Sequence, residues 1–383
     1  MASVLEFERY GKELERQLLR RIGYTNGLHK LRRFARIVDY LYPIMPTSVR
    51  QLAQVIIQEE NAAGSNQLKG IEYATGIIDV TRALVLIERF GPKIALSSPG
   101  YACHALVSSG AGEAAVDAFL FEKVVQSDGE YTLNVLRLVS EGVVDVRELG
   151  GKLFERFLQL VDYKKEWAAT QVSARFAQRS LLSLLTEAGE TLRKAISKTG
   201  RLTEFFFKHT LNPRLEWLED LGCLARDGSA LVCSPRGQNV LNELKSIGAW
   251  HAEFVALPLD QWLSVQLDTP SMLPPGKDAN FSWRLVASAV RPEPTTAEPP
   301  SNEHFLQTIK TIYRHIKLAN FNEADGQSLY EVMAAIGASR GQVLPLAAFE
   351  VHLAELVREY PGEIFKLSKR RGQGLYIALK RSA

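Results

Sequence analysis

Cysteine is scarce: Cys103, Cys223 and Cys233 are the only three in 383 residues, and no two of them form a C-x-x-C pair. An odd, scattered set excludes a disulfide scaffold and a cysteine zinc ribbon, and it suits a reducing, cytoplasmic compartment. No apolar run approaches the ~18 residues of a membrane span. Met1–Arg9 carries two acidic residues and no secretory apolar region, so no membrane association is expected. Surplus charge is lacking too. Lys and Arg total 46 against 43 Asp and Glu, a net of +3, so any affinity for a polyanion must come from local patches.

The motifs of catalysis are equally thin. Gly150-Gly151-Lys152-Leu153 lacks the first glycine and the hydroxyl of a phosphate loop. Gly110-Ala111-Gly112-Glu113-Ala114-Ala115 follows a helix rather than a strand, which suits an interhelical turn and not a dinucleotide site. The seven histidines show no zinc spacing, and Ser98 has no G-x-S-x-G around it. Asp227 with Glu243-Leu244-Lys245 imitates a nuclease carboxylate set, but the Glu-x-Lys falls within a helix. No enzyme, cofactor or resident metal is expected.

What remains is ordinary globular material, 46% hydrophobic and 23% charged, long enough for two or three domains. Helical spacing of apolar residues dominates. Glu6–Pro43 forms helices broken at Gly23–Gly27. Thr47 or Ser48 caps the helix Val49–Glu59, and a further helix runs from about Leu68 to Arg89. The middle, Glu113–Gly200, is helical, with turns expected at Ser127-Asp128-Gly129 and Gly150-Gly151. Arg291–Ser301, with four prolines, is an extended linker. Three helices and two strands, Glu363–Leu367 and Leu375–Leu379, close the chain. Trp262 and Trp283 are expected in the core; the rest of 250–290 yields no pattern.

Two distant segments resemble each other. Ala83–Gly91 leads through Ile94–Ser97 to Ser98-Pro99-Gly100 and a helix. Leu215–Gly222 leads through Leu231–Ser234 to Pro235-Arg236-Gly237 and a helix. In each, Gly91 or Gly222 stops a helix in the left-handed region, a strand folds back, and Ser98 or Ser234 caps the next helix. This pattern resembles the winged-helix (winged helix-turn-helix) family, and the tail resembles a third copy by element order. The copies would cover roughly 26–110, 170–248 and 302–383. The expected fold is mainly α with small β-wings, as tandem winged-helix domains joined by a helical middle region. Its divisions would be 1–110, 111–248, an irregular segment with the Pro-rich linker at 249–301, and 302–383.

The resemblance implies double-stranded DNA as partner, with recognition helices in the major groove and basic wings on phosphates. Ile364–Arg381 carries Lys366, Lys369, Arg370 and Arg371 with no acidic residue among them. Lys369–Gly374 would form the tip of a wing. The first copy offers Lys69, Tyr73 and Arg82 on its candidate recognition helix and Lys93 on its wing, although Glu72 and Asp79 share that helix. The second offers Lys208, Asn212 and Arg214, with Arg236 at the next helix. Seven cations, including Arg32, Arg33 and Arg36, lie between Arg16 and Arg36 without an acidic residue. The expected function is duplex DNA binding, as a subunit of a larger complex such as a bacterial antiviral defence or mobile-element system. Two alternatives stand beside it: a winged-helix adaptor that docks protein partners, and a nuclease subunit with a cryptic metal site.

Overall fold

The computed structural model describes residues 16, 18–20, 22, 30–63, 70–172, 175–197, 200–228, 230–259, 281–290, 301–316, 324–361, 363–370 and 374–379. The chain is mainly helical with small antiparallel sheets. It divides into two discontinuous compact units, one of 31–122 with 290–383 and the other of 1–30 with 123–289.

The first unit opens with α1 (Arg33–Leu41), whose Phe34, Ile37, Val38 and Leu41 are all buried at helical spacing. A short strand, β1 (Thr47–Ser48), leads into α2 (Val49–Ala62). Ser48 accepts from the Gln51 amide at 3.2 Å, a capping-box start that fixes where α2 begins. Then come α3 (Ile71–Ala83), the hairpin β2 (Ile87–Phe90) and β3 (Lys93–Leu96), and α4 (Ser98–Ser108). The sheet order is β1-β3-β2. The helix expected to reach Arg89 thus stops at Ala83. Val85 follows in the left-handed region at φ 62, and the chain turns into β2.

α5 (Glu113–Ser140) gives its start, to Glu122, to the first unit and its remainder to the second. It passes through 127–129 without a turn. Asp128 is fully buried and bonded, and Gly129 lets Leu257 approach to where a Cβ would lie at 2.7 Å from its methyl group. The turn falls instead at Gly142, φ 89, before α6 (Val146–Gln171), which Asp145 caps by accepting from Arg147 and Glu148 amides. Gly150 does not break α6 either. A Cβ there would meet the Phe207 ring at 2.4 Å, so this glycine serves close packing of a helix.

The second unit continues with α7 (Arg175–Arg193). A turn Glu204–Phe206 then widens into a π-helical turn, Phe207–Leu211, and runs directly into α8 (Asn212–Asp220). The hairpin β4 (Leu224–Asp227) and β5 (Ala230–Cys233) follows, then α9 (Pro235–Ser246) and, further on, α10 (Phe281–Val290). Trp283 is buried in α10, as expected of a core aromatic; Trp262 lies outside the described residues.

The remainder of the first unit is α11 (Asn302–Ile316), β6 (Ala324–Asp325), α12 (Gly326–Ser339), α13 (Leu346–Glu359), β7 (Ile364–Arg370) and β8 (Gly374–Leu379). Its sheet order, β6-β8-β7, repeats the β1-β3-β2 arrangement with the same helix, strand, helix, helix, strand, strand sequence. The Pro-rich segment 291–300 lies outside the described residues.

Each copy of the internal repeat has the same local geometry, in a register different from the expected one. Val85 (φ 62) corresponds to Gly222 (φ 68), and Gly91 (φ 59) to Gly228 (φ 60). Gly91 therefore turns a hairpin, and it is Val85 that follows the helix end. Ser97, not Ser98, corresponds to Ser234: each accepts from the glycine amide three residues on, both at 3.1 Å. The Ser97 hydroxyl donates to the Val85 carbonyl, and the Ser234 hydroxyl to that of Gly222 at 2.6 Å. All of these pairs share one sequence offset.

Candidate nucleic-acid interface

A phosphate-binding surface needs cations that are exposed and not already neutralised, because the affinity comes from displacing counterions. Most of the described cations of the N-terminal stripe fail this test. Arg20 is 1% exposed; it donates to the Pro258 carbonyl at 2.6 Å and lies 5.0 Å from the centre of the Phe281 ring. Lys30 meets Asp220 at 2.8 Å. Arg32 holds both Asp117 oxygens, at 2.7 and 2.6 Å, and also reaches Glu113. Arg33 is mostly buried against Glu60 at 3.0 Å, with its guanidinium 5.8 Å from the Tyr73 ring centre. Arg36 alone of the candidates on α1 stands exposed. The acidic partners lie far along the chain, which is why an uninterrupted run of cations in sequence gave a false patch.

The candidate recognition helix of the first copy, α3, is no better. Glu72 and Asp79 are exposed, Arg82 pairs with Asp79 at 3.0 Å, and Tyr73 is half-buried beside Arg33. Lys69 lies outside the described residues. The adjoining hairpin is different: Arg89, Phe90 and Lys93 are all exposed, and Phe90 pairs with Lys93 across the strands.

In the second copy Arg214 is the clearest correction. It is 0% exposed and donates to Asp128 at 2.7 and 2.5 Å, to the Ile22 carbonyl at 2.8 Å and to the Thr210 carbonyl. Asp128 also accepts from the Ile22 amide at 2.7 Å and from Thr132 at 2.9 Å. Burial pushes the Asp128 carboxyl up, and the guanidinium beside it opposes that rise. Arg214 therefore staples the unit and cannot touch a nucleic acid. Asn212 is the first residue of α8: the helix runs continuously through it from the π-helical turn, and Leu211 occupies the N-cap position with no side-chain bond. Lys208 and Arg236 are exposed, Arg236 lying along Gly222. Arg226, at the hairpin, pairs with Glu219 at 2.6 Å.

The C-terminal hairpin keeps its sequence promise at the level of the backbone. Lys366 pairs in register with Ala378, Lys369 with Leu375 and Arg370 with Gly374. The strands extend further than expected, so Lys369 and Arg370 end β7 and do not sit in a loop; Arg371 lies outside the described residues. The third helix of this copy, α13, exposes Val351, His352 and Arg358 on its surface, with Leu346 at its start.

Nuclease-type residues do not assemble. Glu243 sits in α9 and pairs with Arg284 at 2.5 Å, while Asp227 ends β4. Among the described residues no group of three or more His, Cys, Asp or Glu comes together to hold a metal ion. Burial pushes the Cys223 thiol up to about 12, which leaves it without a thiolate at neutral pH. No described helix is long and apolar enough to cross a membrane. No known protein-family model, curated protein or solved structure matches the chain.

Proposed function

We propose that the chain is a non-enzymatic, double-stranded DNA-binding protein of tandem winged-helix build that grips phosphates through its hairpins, the C-terminal one foremost. One observation carries this: β7 and β8 form an antiparallel hairpin whose outer end brings together Lys369 and Arg370, continued in sequence by Arg371, with no acidic residue from Ile364 to Arg381. The two sheets ordered first-third-second, each with three helices, support the winged-helix reading. The neutral or acidic surfaces of α3 and α8 argue against base readout by those helices, so binding is sequence-independent in the main.

The test is a fluorescence-anisotropy titration of the triple variant Lys369→Ala, Arg370→Ala, Arg371→Ala on two unrelated duplexes over a range of salt. Binding should weaken equally on both, and the log–log salt slope should flatten by roughly 0.9 for each phosphate no longer neutralised. Unchanged affinity and slope overturn the assignment. A protein-docking adaptor is the second reading, favoured by exposed Leu346 and Val351 (55% exposed) on α13. It predicts no retention on heparin or duplex DNA at physiological salt.

A further inference from the structure

The second unit contains an open cleft of about 450 Å³ that none of the DNA-binding argument uses. That volume falls in the range of ordinary small-molecule sites, ~300–1,000 Å³. Tyr163, Glu166, Trp167 and Thr170 of α6 form one wall, and Ile247 and His251 stand among the residues lining the other. Tyr163 and Trp167 are four residues apart and so share a face of the helix. The Tyr163 and His251 rings lie 4.7 Å apart at 53°, and Phe254 is 5.2 Å from both.

Three features of the lining favour a cation, while the nearby guanidiniums of Arg137 and Arg20 are engaged by the His251 and Pro258 carbonyls at 2.7 and 2.6 Å. Glu166 is the only formally charged side chain in its described lining, and it is exposed. Two helices end at the cleft: α6 at Gln171 and α9 at Ser246, with Ile247 as the α9 C-cap. A helix C-terminus carries roughly half a negative charge, so both ends favour a cation there. Burial, with Arg137 nearby, pushes the His251 imidazole below its usual value, so that ring is neutral at neutral pH. The neighbouring lysines are directed elsewhere, Lys165 to Asp162 at 3.7 Å and Lys245 to the Trp250 ring at 4.7 Å. A phosphate or carboxylate ligand would find no cation in the described lining. Aromatic faces beside a carboxylate and two negative helix ends are instead the means by which proteins hold ammonium and guanidinium ions.

We propose that this cleft binds an organic cation, an alkylammonium or guanidinium group on a molecule of amino-acid size. The tryptophan in the wall supplies the signal. Intrinsic fluorescence of the full chain is titrated with choline, with agmatine, and with dimethylbutanol, the neutral carbon isostere of choline; AMP serves as the anionic control. One or both cations should give a saturable response with a dissociation constant below about 10 mM. The isostere and AMP should give none. Glu166→Gln, a change at an exposed position that leaves the fold intact, should weaken cation binding about five- to tenfold. Tyr163→Leu should weaken it further, with circular dichroism reporting whether that variant is folded. Equal binding of the isostere, a response to AMP alone, no saturable response to either cation, or an unchanged Glu166→Gln variant would overturn the proposal. None of these outcomes depends on whether the chain binds DNA.

Discussion

Replacing Asp128 by Asn should cost the second unit far more than a typical point change. The Asp128–Arg214 pair is 0% exposed on both sides, and the guanidinium makes four hydrogen bonds, two of them to that carboxylate. The substituted amide keeps the shape but removes the counter-charge, leaving a fully buried guanidinium without one. Breaking one side of a buried ion pair costs about 3–5 kcal/mol, because the remaining charge is uncompensated. For a unit of this size, each kcal/mol lowers Tm by about 2–4 °C, so a fall of roughly 6 to 20 °C is expected. The double change Asp128→Leu, Arg214→Met removes both charges at similar volume and should recover much of that loss, since an apolar replacement of a buried pair is often neutral or better. Calorimetry of the wild type, Asp128→Asn, the two component single variants (Asp128→Leu and Arg214→Met) and the double variant resolves the unit's own transition. A single-variant Tm within about 2 °C of wild type, or a double variant less stable than the two single effects added together, would refute the stapling role of Arg214. A duplex-binding defect in folded Arg214→Met without loss of stability would do so too.

Two further outcomes follow from local geometry. Gly100→Ala and Gly237→Ala should each destabilise strongly, by about 3 kcal/mol or more, because the added Cβ would lie 2.1 Å from the Leu86 carbonyl oxygen or 2.3 Å from that of Cys223. Gly91→Ala has open space and only an unfavourable φ, so urea melts should rank it well above both; equal midpoints would contradict the repeat geometry. Acidification should weaken the fold. Burial holds His251, and burial with neighbouring His104 and Arg314 holds His315, below the usual imidazole range. The unfolded chain takes up protons near pH ~6.5 that the native state refuses, so stability falls as pH drops from about 6.5 through the depressed native values. Thermal melts from about pH 7.5 to 5.5 should show this decline, smaller in His251→Gln; a Tm that rises on acidification would reverse the sign.

Local rules carried the sequence reading where a residue acts on its immediate neighbours. The start of the helix at Val49 and the strand Leu375–Leu379, which begins one residue earlier, were legible, since apolar period and flanking turn residues decide them. Ser234 as a cap was legible for the same reason. The failures share a physical cause: each depends on a partner outside the residue's immediate neighbours. Gly129 and Gly150 have the composition of turns, yet each lies in a continuous helix where Leu257 or Phe207 packs too close for a Cβ. Val85 has the composition of a helix or strand interior, yet it takes the left-handed place that glycine fills in the second copy; Ser97 bonding back to its carbonyl holds the turn. The two copies could have corrected each other, because aligning Gly91 with Gly228 puts Ser97 on Ser234 and Gly100 on Gly237.

Charge was the least legible property of all. A side chain's charge can be read from sequence, but its availability cannot, since neutralisation of Arg32 and Arg33 required Asp117, Glu113 and Glu60 to arrive by folding. The same reasoning turns the electrostatic case toward the hairpins. Availability on a hairpin depends on whether a neighbouring helix supplies a counter-charge, as Glu219 of α8 does for Arg226 on the β4–β5 hairpin. Lys93 on the β2–β3 hairpin is exposed, whereas Arg82 on α3 is paired within its own helix. By that argument Lys369, Arg370 and Arg371 are the cations whose removal should matter to a polyanion, and Arg32 and Arg33 are the ones whose removal should matter to the fold.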